Sequence, residues 1–384
     1  MKRIAYICSD PGVPVYGTKG CSVHVQEGMR ALRAQGAQIT LFAQRIGGDA
    51  PADLADIKCI RLPKLSKVTV AAREQSALAA NQILQRLLEK EGPFDAVYER
   101  YSLWGYAGME YARDKDLPGI LEVNAPLIEE QLQHRMLVHE EEACRVVNRV
   151  TSAATALIAV SAAVGEYLGG FPESAGKIHV IPNGVDPNRF SPEVFPSMPS
   201  AEDAFTVGFV GTLKPWHGVL DLVEAFAMLH KQAPNSRLLI VGDGPEREMI
   251  DARLAAHGLT LATQFTGAVH PADVPGLIAS MDVGVAPYPI MENCYFSPLK
   301  AFEYMASGIA FVGSNIGQLG ELVAHGETGL LYAPGNTGEL GKCLLTLYKD
   351  RRLVGQLGRT ARKAILQSHT WDAVGGRIMQ MARQ

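Results

Sequence analysis

The sequence has no long apolar run, no paired cysteine motif and no block of charges of one sign. Its apolar N-terminal stretch, within Met1–Asp10, stops at an acidic residue and a Pro/Gly loop, so it is too short for the core of a signal peptide or for a bilayer span. The six cysteines are scattered and form no CxxC pair, which favours reduced thiols over disulfides or zinc. These absences predict a cytoplasmic protein that holds no metal ion.

Charge and composition exclude further classes of protein. The chain has 36 Lys and Arg residues against 40 Asp and Glu, a formal net charge of −4. Binding to a phosphate backbone needs a basic stripe, so no nucleic acid is expected as a partner. Of the 384 residues 47% are hydrophobic, which excludes a disordered chain. At roughly 100–200 residues per domain, the length predicts two domains.

Short β-branched apolar runs alternate with longer segments of helical period, such as Ser22–Ala34, Val219–His230 and Gly338–Lys349. This pattern is typical of βαβ units. Because the runs are continuously apolar, they predict parallel sheets covered by helices on both faces, the α/β class. The predicted strands are Ile4–Cys8, Ile39–Phe42, Ile57–Leu62, Ala96–Tyr98, Gly119–Val123, Ala156–Val160, Ile178–Ile181, Phe205–Gly211, Leu238–Gly242, Gln264–Thr266, Val283–Ala286, Ala310–Gly313 and Gly329–Leu331.

The pattern lapses between Pro182 and Ala204, a proline-rich stretch. We interpret residues 187–204 as a linker between an N-terminal domain, 1–186, and a C-terminal domain, 205–369. Both domains are predicted to be doubly wound and Rossmann-like. The carboxyl edges of such sheets bind ligands, so we expect the two edges to face a central cleft.

The loop Gly12–Gly20 joins the first predicted strand to the first predicted helix. Its glycines would let backbone N–H groups approach an anion at the helix N-terminus. A plain tight turn explains the same glycines, because the spacing matches neither a dinucleotide fingerprint nor a Walker motif.

A second loop, Gly211–Gly218, runs from a strand end to a helix start. Lys214 and a protonated His217 would there supply a point charge and a further donor to a diphosphate. The alternative is that Trp216 and His217 only pack against a helix cap. The following turn, Gly242–Glu246, resembles a dinucleotide fingerprint with Pro245 as first helical residue, but Arg247 stands at the third glycine position, so no nicotinamide site is expected.

The densest constellation lies at 295–308. Here Ser297 is predicted to be the N-cap and Pro298 the first helical residue, with Lys300 in the next turn, so that the free N–H groups can hold phosphate. Glu303 follows on the same side of the helix, where its carboxylate can accept from two ribose hydroxyls. The alternative is an ordinary capped helix with a surface Lys–Glu pair.

The chain as a whole resembles a GT-B glycosyltransferase of the large retaining family 4, also called group 1. The matching segments follow the family's order and are the N-terminal glycine loop with Ser22, Val23 and His24, then Ala156–Ser161, Ile181–Asp186 with Phe190, Gly211–Gly218, Gly242–Pro245, Phe265–Gly267, Ser297–Gly308 and Gly326–Leu330. Ordered agreement over nearly the whole chain is more specific than any single motif.

The resemblance implies that the C-terminal domain binds a nucleotide diphosphate sugar, a UDP- or GDP-sugar, and that the N-terminal domain binds the acceptor. A hexosyl group would move to a hydroxyl of a glycan, lipid-linked or small-molecule acceptor with retention, by front-face attack and without a metal or other cofactor. The last segment, 370–384, would form a helix that packs back on the first domain. An association with the inner face of the membrane stays open, and the oligomeric state is not predicted.

The resemblance also implies roles for individual residues. Catalysis would rest on Lys300, Lys214 and His217, which stabilise the leaving diphosphate, and on Asn124, which faces the anomeric carbon. His24 would contact the acceptor. The donor would be bound by Gly20, Gly211, Thr212, Gly242, Gly267, Ser297, Pro298, Leu299 and Glu303.

Two positions depart from the family pattern. Eight residues before Glu303, where the family has a second glutamate, stands Tyr295, and Glu292 is three positions out of register. The usual Arg and Lys of the phosphate loop align with Thr212 and His217. These departures affect the contacts to the hydroxyls of the donor sugar and therefore the choice of sugar.

Other classes of function remain as alternatives. A nucleotide-sugar 2-epimerase shares this architecture and would act without an acceptor, and a non-catalytic binder would show no turnover at all. Metal schemes have little support, since His139 and Glu140 begin only an incomplete HExxH motif and Asp114 with Asp116 lies in a polar loop. Three cations, Lys64, Lys67 and Arg73, are too few to predict a membrane-binding patch.

Overall fold

The structure is a computed structural model that describes residues 1–383, without the side chain of His134. Gln384, the end of the predicted segment 370–384, lies outside the described residues. The chain divides into two compact units. Unit 1 comprises Met1–Asn183, Tyr295–Ser297 and the chain from Trp371 onward, and unit 2 comprises Gly184–Cys294 and Pro298–Thr370. The predicted roles of the domains, acceptor binding and donor binding, stay predictions.

Each unit contains one parallel sheet in which the first strand of the unit lies third from one edge. Among the described residues, unit 1 has seven strands in the order β3-β2-β1-β4-β5-β6-β7, and unit 2 has six in the order β10-β9-β8-β11-β12-β13. This is the doubly wound order, and it confirms the predicted α/β class. The strands are β1 (Lys2–Cys8), β2 (Ala37–Ala43), β3 (Lys58–Arg61), β4 (Ala96–Arg100), β5 (Gly119–Val123), β6 (Ala156–Ala159), β7 (Ile178–Val180), β8 (Phe205–Val210), β9 (Ser236–Val241), β10 (Thr263–Gly267), β11 (Val283–Ala286), β12 (Ala310–Ser314) and β13 (Leu330–Tyr332).

Helices follow most strands and cover the sheets, because the connection between parallel strands must cross over one face. The stretch from 187 to 204, predicted as a linker, contains no helix or strand among the described residues. The helices are α1 (Gly20–Ala34), α2 (Val70–Glu91), α3 (Ala107–Asp114), α4 (Leu127–His134), α5 (Glu140–Ala153), α6 (Ala162–Gly169), α7 (Val219–His230), α8 (Arg247–Ala256), α9 (Val274–Ile278), α10 (Leu299–Ala306), α11 (Gln318–Leu322), α12 (Thr337–Lys349), α13 (Arg351–Ser368) and α14 (Trp371–Met381).

Each unit has its own apolar core, built from the strand residues. All five residues of β5 and all four of β11 are buried, as expected for strands covered on both faces. The last helix, α14, belongs to unit 1 and packs on α1, where a Cβ on Gly375 would lie 2.6 Å from the carbonyl oxygen of Ala31. Gln35 donates a hydrogen bond to the Asp372 carboxylate at 2.6 Å, which adds a polar contact beside α14.

Two helix starts differ from those predicted. Helix α10 begins at Leu299, with Pro298 as its cap residue and without a side-chain cap, so Ser297 is not the N-cap. The hydroxyl of Ser297 instead accepts the backbone N–H of Asn183 at 3.0 Å. Helix α8 begins at Arg247 rather than Pro245, because the preceding residues form a turn in which the N–H of Arg247 donates to Gly244.

Candidate functional site

Lys300 is the second residue of α10, and its amine is buried against aromatic rings. Its side chain is 8% exposed, and Nζ has no hydrogen-bond partner among the described residues. Nζ lies 4.1 Å from the centre of the Phe209 ring and 5.4 Å from that of Tyr288. Burial lowers the pKa of Lys300 to about 7, against the opposing effect of the Glu303 charge. An anion placed at Nζ would complete its coordination and favour the charged form.

Gly211 leaves the space that the amine occupies. A Cβ at this position would lie 2.9 Å from Lys300 Nζ, and the backbone has φ +148°, a region that only glycine adopts without strain. The N–H of Gly211 donates to the Val241 carbonyl at 2.9 Å, which fixes the loop at the carboxyl edge of the sheet. The structure therefore brings together Gly211 and Lys300, which the sequence places in two separate segments.

The other glycines of the predicted donor site differ in what surrounds them. A Cβ on Gly242 would collide with the carbonyl oxygen of Gly211, and one on Gly218 with that of Pro287. Close packing of backbone on backbone thus explains both glycines. Gly267 has φ +71° with nothing within 4 Å of its Cβ position, and it pairs with Gly242 in an isolated bridge. The donor contacts assigned to Gly242 and Gly267 stay predictions.

His217 is a neutral imidazole in this structure. Its Nδ1–H donates to the carbonyl of Thr212, which can only accept. Burial and the nearby charges of Lys300 and Lys214 lower the pKa of His217 to about 3. Burial and two neighbouring cations thus disfavour the imidazolium in the free protein, and donation from a protonated His217 to phosphate stays a prediction. Its Nε2 carries a lone pair and can accept a hydrogen bond.

Lys214 stands directly before the 3₁₀ turn Pro215–His217. Its Nζ lies 4.4 Å from the centre of the Trp216 ring, and Trp216 is 38% exposed. Lys214 therefore rests on an exposed aromatic face, unlike the enclosed amine of Lys300. A cation in such a position can turn toward an anion at little cost.

Tyr304 fixes the orientation of α10. Its hydroxyl accepts the backbone N–H of Val210 at the end of β8, at 2.7 Å. Its ring lies against Gly284 of β11, where a Cβ would be 2.5 Å from the ring. Glu303, one turn after Lys300, is partly buried. Sequence reasoning missed this support by Tyr304, because an aromatic residue at helical spacing reads as ordinary core.

A polar cluster in unit 1 surrounds Glu122 of β5, which is 2% exposed. Nε2 of His24 pairs with the Glu122 carboxylate, and the Asn124 side-chain NH₂ donates to Glu122 Oε1 at 2.7 Å. Tyr98 donates its hydroxyl to Oε2, and Arg100 Nη1 lies 4.0 Å from Oε1. The family resemblance of the sequence points to His24 and Asn124 but not to Glu122, whose one signal is that it is a single acid inside an apolar strand.

The Glu122 carboxylate is ionised despite its burial. Burial alone would raise its pKa, but the charge and hydrogen bond of His24, the charge of Arg100 and the Tyr98 hydroxyl lower the pKa of Glu122 to about 2. The carboxylate is consequently a fixed acceptor over the whole neutral range.

The glycine loop before α1 is fixed by Gln26, whose side-chain NH₂ donates to the carbonyls of Val15 at 2.9 Å and Gly17 at 3.0 Å. A Cβ on Gly17 would lie 2.9 Å from the Ser22 hydroxyl, so tight packing explains this glycine. Gly20 is the first residue of α1, and the preceding Lys19 makes no side-chain cap. The contact of Gly20 with a diphosphate stays a prediction.

The segment Tyr295–Ser297 belongs to unit 1, apart from Pro298, Leu299 and Lys300 of unit 2. Tyr295 donates its hydroxyl to Glu130, and its carbonyl accepts from the Ser161 hydroxyl at 2.8 Å. The carbonyl of Ser297 accepts from the Asn183 side chain at 2.7 Å. The hydroxyl of Ser297 thus accepts a hydrogen bond within unit 1, and the donor contact assigned to Ser297 stays a prediction.

Residues of the two motifs considered as metal sites, the incomplete HExxH and the Asp114/Asp116 pair, form ion pairs within the protein. His139 Nδ1 lies 2.8 Å from Glu74, and Asp114 pairs with Arg113 at 2.8 Å. Within residues 1–383, no group of three His, Cys, Asp or Glu side chains is arranged to hold a metal ion. In the same part of the chain, no helix has the length and apolar character needed to cross a membrane.

The chain is similar in sequence to known glycosyltransferases. It is 28% identical over 213 residues to a glycogen synthase of Mycobacterium tuberculosis (strain ATCC 25618 / H37Rv), which covers 55% of this chain and 49% of the relative. The chain thus spans about half the length of that relative. It is 27% identical to D-inositol 3-phosphate glycosyltransferase of Jonesia denitrificans, with 96% of this chain and 93% of the relative covered.

Solved structures share the whole fold. Sucrose-phosphate synthase from Thermosynechococcus elongatus superposes with a TM-score of 0.76 at 21% identity, covering 100% of this chain and 99% of that one. Anabaena HepE in complex with UDP and glucose gives a TM-score of 0.72 at 20% identity, covering 99% of each chain. At these identities the likeness establishes the fold alone.

Two family models match the chain in succession. The model described as Glycosyltransferase Family 4 matches residues 18–189, and the model described as Glycosyl transferases group 1 matches residues 204–350. Together with the two parallel sheets and the solved structures that share them, these matches confirm the resemblance noted in the sequence. The chain belongs to the group 1 glycosyltransferases of glycosyltransferase family 4, and it has the GT-B fold.

Proposed function

We propose that the protein is a retaining hexosyltransferase that moves a sugar from a UDP- or GDP-sugar to a hydroxyl of a glycan, lipid-linked or small-molecule acceptor. The observation that carries this proposal is the amine of Lys300, which is buried, has no hydrogen-bond partner among the described residues and occupies the space left by Gly211. A buried polar group without a partner is costly. The diphosphate of a nucleotide sugar supplies the missing partner.

The donor contacts of the proposal lie in unit 2. Lys300 and the first backbone N–H groups of α10 bind the diphosphate, since a helix N-terminus favours an anion. Lys214 leaves the Trp216 ring to add a second charge. Glu303 accepts hydrogen bonds from the ribose hydroxyls, and its charge favours the ammonium form of Lys300.

The proposed reaction is a front-face displacement. The bond between the anomeric carbon and the phosphate oxygen breaks, and the electron pair stays with the departing diphosphate. The acceptor hydroxyl forms a new bond to the same face of that carbon, and its proton passes to the departing phosphate oxygen. Negative charge therefore develops on the diphosphate. A preorganised hydrogen-bond donor at that point stabilises the transition state by roughly 3–4 kcal/mol. We assign that role to Lys300.

Unit 1 supplies the groups proposed for the acceptor and for the reacting sugar. His24 is assigned to the acceptor, and Asn124 to the anomeric centre. Both side chains are held by one carboxylate, that of Glu122, so their positions are fixed before a substrate binds. Such preorganisation supports a catalytic use of the pair.

A donor panel tests the proposal. Thermal unfolding is measured with UDP-, GDP-, ADP- and TDP-sugars, because a ligand at about 100 times its dissociation constant stabilises by about 2.7 kcal/mol. One nucleotide class should stabilise the wild-type protein and should stabilise Lys300→Ala much less. The matched control is Lys363→Ala, an exposed lysine of α13 in the same unit. Equal stabilisation of Lys300→Ala and wild type would contradict the diphosphate assignment.

The same donor then separates the alternative functions. With no acceptor present, conversion of the sugar to its epimer would identify an isomerase. Binding without any release of nucleoside diphosphate, with or without acceptors, would identify a binder. Transfer to an added glycan, lipid-linked or small-molecule acceptor, with the anomeric configuration of the product determined by NMR, is the result that we expect.

A further inference from the structure

Glu122 gathers four polar side chains in unit 1 although it lies in the middle of a buried sheet. Its Oε1 receives His24 and the NH₂ group of Asn124, with Arg100 at 4.0 Å, and its Oε2 receives the hydroxyl of Tyr98. A buried carboxylate is tolerated when it is paired and hydrogen-bonded in this way. Stability alone would be served equally well by an apolar residue, so the charge is better explained by what it does to its neighbours.

The charge on Glu122 decides which end of the Asn124 amide faces away from it. An ionised carboxylate only accepts hydrogen bonds. The amide must therefore present its NH₂ group to Glu122, as the 2.7 Å hydrogen bond shows. The reverse orientation would place two oxygen acceptors against each other. The side-chain oxygen of Asn124 therefore faces away from the Glu122 carboxylate.

That oxygen, Asn124 Oδ1, is buried and has no hydrogen-bond partner among the described residues. An unsatisfied buried acceptor costs roughly 1–3 kcal/mol, and a hydroxyl group is the kind of donor that satisfies it. His24 is braced in the same manner, since Nε2 is held by Glu122 and the ring meets Trp371 edge-on with a centroid distance of 5.4 Å.

We infer that Glu122 is a positioning residue, which orients the amide of Asn124 so that its carbonyl oxygen accepts a hydrogen bond from a hydroxyl of the reacting sugar. This inference rests on the proposed function and deepens it. Sugars present hydroxyl groups that donate hydrogen bonds, and the carbonyl oxygen of Asn124 can accept one. An outward-facing NH₂ group could only donate to a sugar hydroxyl. Glu122 itself touches no substrate; it acts through Asn124 and His24.

A reciprocal exchange of acid and amide tests the inference. In Glu122→Gln, the new NH₂ group competes for Asn124, which turns its oxygen inward and its NH₂ group outward. In Asn124→Asp, two carboxylates face each other. In the double variant E122Q/N124D, the amide introduced at position 122 donates to one oxygen of the carboxylate introduced at position 124, and the other oxygen again faces the sugar. Only a role in orientation predicts that two damaging changes restore each other.

The measurement is the release of nucleoside diphosphate from UDP-glucose or GDP-mannose, whichever stabilises the wild type, with water as acceptor. We expect each single variant to lose at least about tenfold in turnover number at saturating donor, and the double variant to return to within about threefold of wild type. Affinity for the nucleoside diphosphate should be unchanged in all three. Glu99→Gln is the matched control, a buried glutamate on neighbouring β4 whose carboxylate lies beside Gly105 and Gly108, and it should keep wild-type turnover.

The outcomes distinguish the inference from the function on which it rests. A double variant no better than the weaker single variant, or an E122Q variant with full turnover, overturns the role of Glu122. A wild-type protein that neither binds nor turns over any UDP- or GDP-sugar overturns the proposed function together with the inference. Circular dichroism and thermal unfolding identify a variant that fails to fold, and the double variant then still decides, because restored turnover requires a folded protein.

Discussion

A side chain on Gly211 would lie 2.9 Å from the Nζ atom of Lys300. The glycine of the β8 loop and the lysine of α10 therefore form one feature, because the absence of a Cβ at position 211 leaves room for the amine. Neither residue is informative alone, since glycines are common in turns and lysines at helix starts.

The substitution Gly211→Ala should displace the Lys300 amine and weaken nucleotide binding. The backbone there has φ +148°, so strain adds roughly 1–3 kcal/mol of destabilisation. Gly258→Ala is the matched control, because Gly258 has φ +70° and open space around its Cβ position. We expect both variants to unfold at lower temperature and only Gly211→Ala to lose affinity for nucleoside diphosphate by calorimetry. Equal affinity of the two variants would separate Gly211 from the site.

The affinity for nucleoside diphosphate should depend on pH through Lys300. Because the pKa of Lys300 is lowered to about 7, the amine loses its charge as the pH rises above that value. A bound diphosphate favours the charged form, so binding takes up a proton. Calorimetry from about pH 7 to pH 9 should show the dissociation constant rising by up to about tenfold per pH unit.

Lys300→Met supplies the control for this pH dependence, since the phosphates also titrate. The variant should bind weakly and lack the part of the slope that belongs to the amine. Without ligand, the free energy of unfolding should also depend on pH. Because folding lowers the pKa of Lys300, the wild type loses stability as the pH falls from 10.5 toward 7. Lys300→Met should not show this loss. Identical pH profiles of the two proteins would contradict the titration of Lys300.

Glu303→Gln should weaken nucleotide binding while leaving the fold intact. The change removes a charged acceptor for the ribose hydroxyls, which is worth roughly 1.5–3 kcal/mol, and it also removes a charge that favours the ammonium form of Lys300. Calorimetry with nucleoside diphosphate measures the loss. Glu202→Gln, an exposed residue of unit 2, should bind as the wild type does, and the ribose assignment is wrong if Glu303→Gln does so too.

Glu99 of unit 1 gives a prediction about stability alone. Burial raises the pKa of Glu99 from 4.5 to about 8. The folded state therefore holds its proton more tightly than the unfolded chain, and stability is full below about pH 4.5 and declines as the pH rises through 8, by at most about 1.4 kcal/mol per pH unit. In denaturant unfolding, Glu99→Gln should have the same free energy of unfolding as the wild type at pH 5 and a higher one at pH 9. Equal stability at both values would contradict the raised pKa.

The sequence predicts the strands well because each is a local pattern. The strands Val283–Ala286 and Gly119–Val123 have the predicted bounds. A short continuous apolar run between two helices of an α/β chain is typical of a buried strand. The start of α10 could not be predicted, because Ser297 makes its hydrogen bond with Asn183, a residue 114 positions away. The hydroxyl of Ser297 could cap the helix or bind a residue distant in sequence. The sequence does not show which of these hydrogen bonds forms.

The candidate site is predicted only where chemistry and position coincide. Gly211 stands in a recognisable loop and Lys300 in a recognisable helix start, and both could be named in advance. The neutral state of His217 depends on burial and on two cations brought near by the fold. The role of Glu122 depends on His24, which lies on another element 98 positions earlier in the chain. Such long-range charge environments leave no periodic signal in the sequence.

In the proposed reaction the buried amine of Lys300 stabilises the leaving diphosphate, whereas Lys214 mainly binds the donor. Only contacts that strengthen in the transition state raise the turnover number, and loss of one preorganised donor lowers it by roughly 100-fold. Turnover numbers of Lys300→Ala and Lys214→Ala at saturating donor, measured side by side with wild type, test this most directly. We predict a loss of at least about 100-fold for Lys300→Ala and, for Lys214→Ala, mainly a raised Michaelis constant for donor. Wild-type turnover in Lys300→Ala would show that the Lys300 amine does not stabilise the leaving diphosphate.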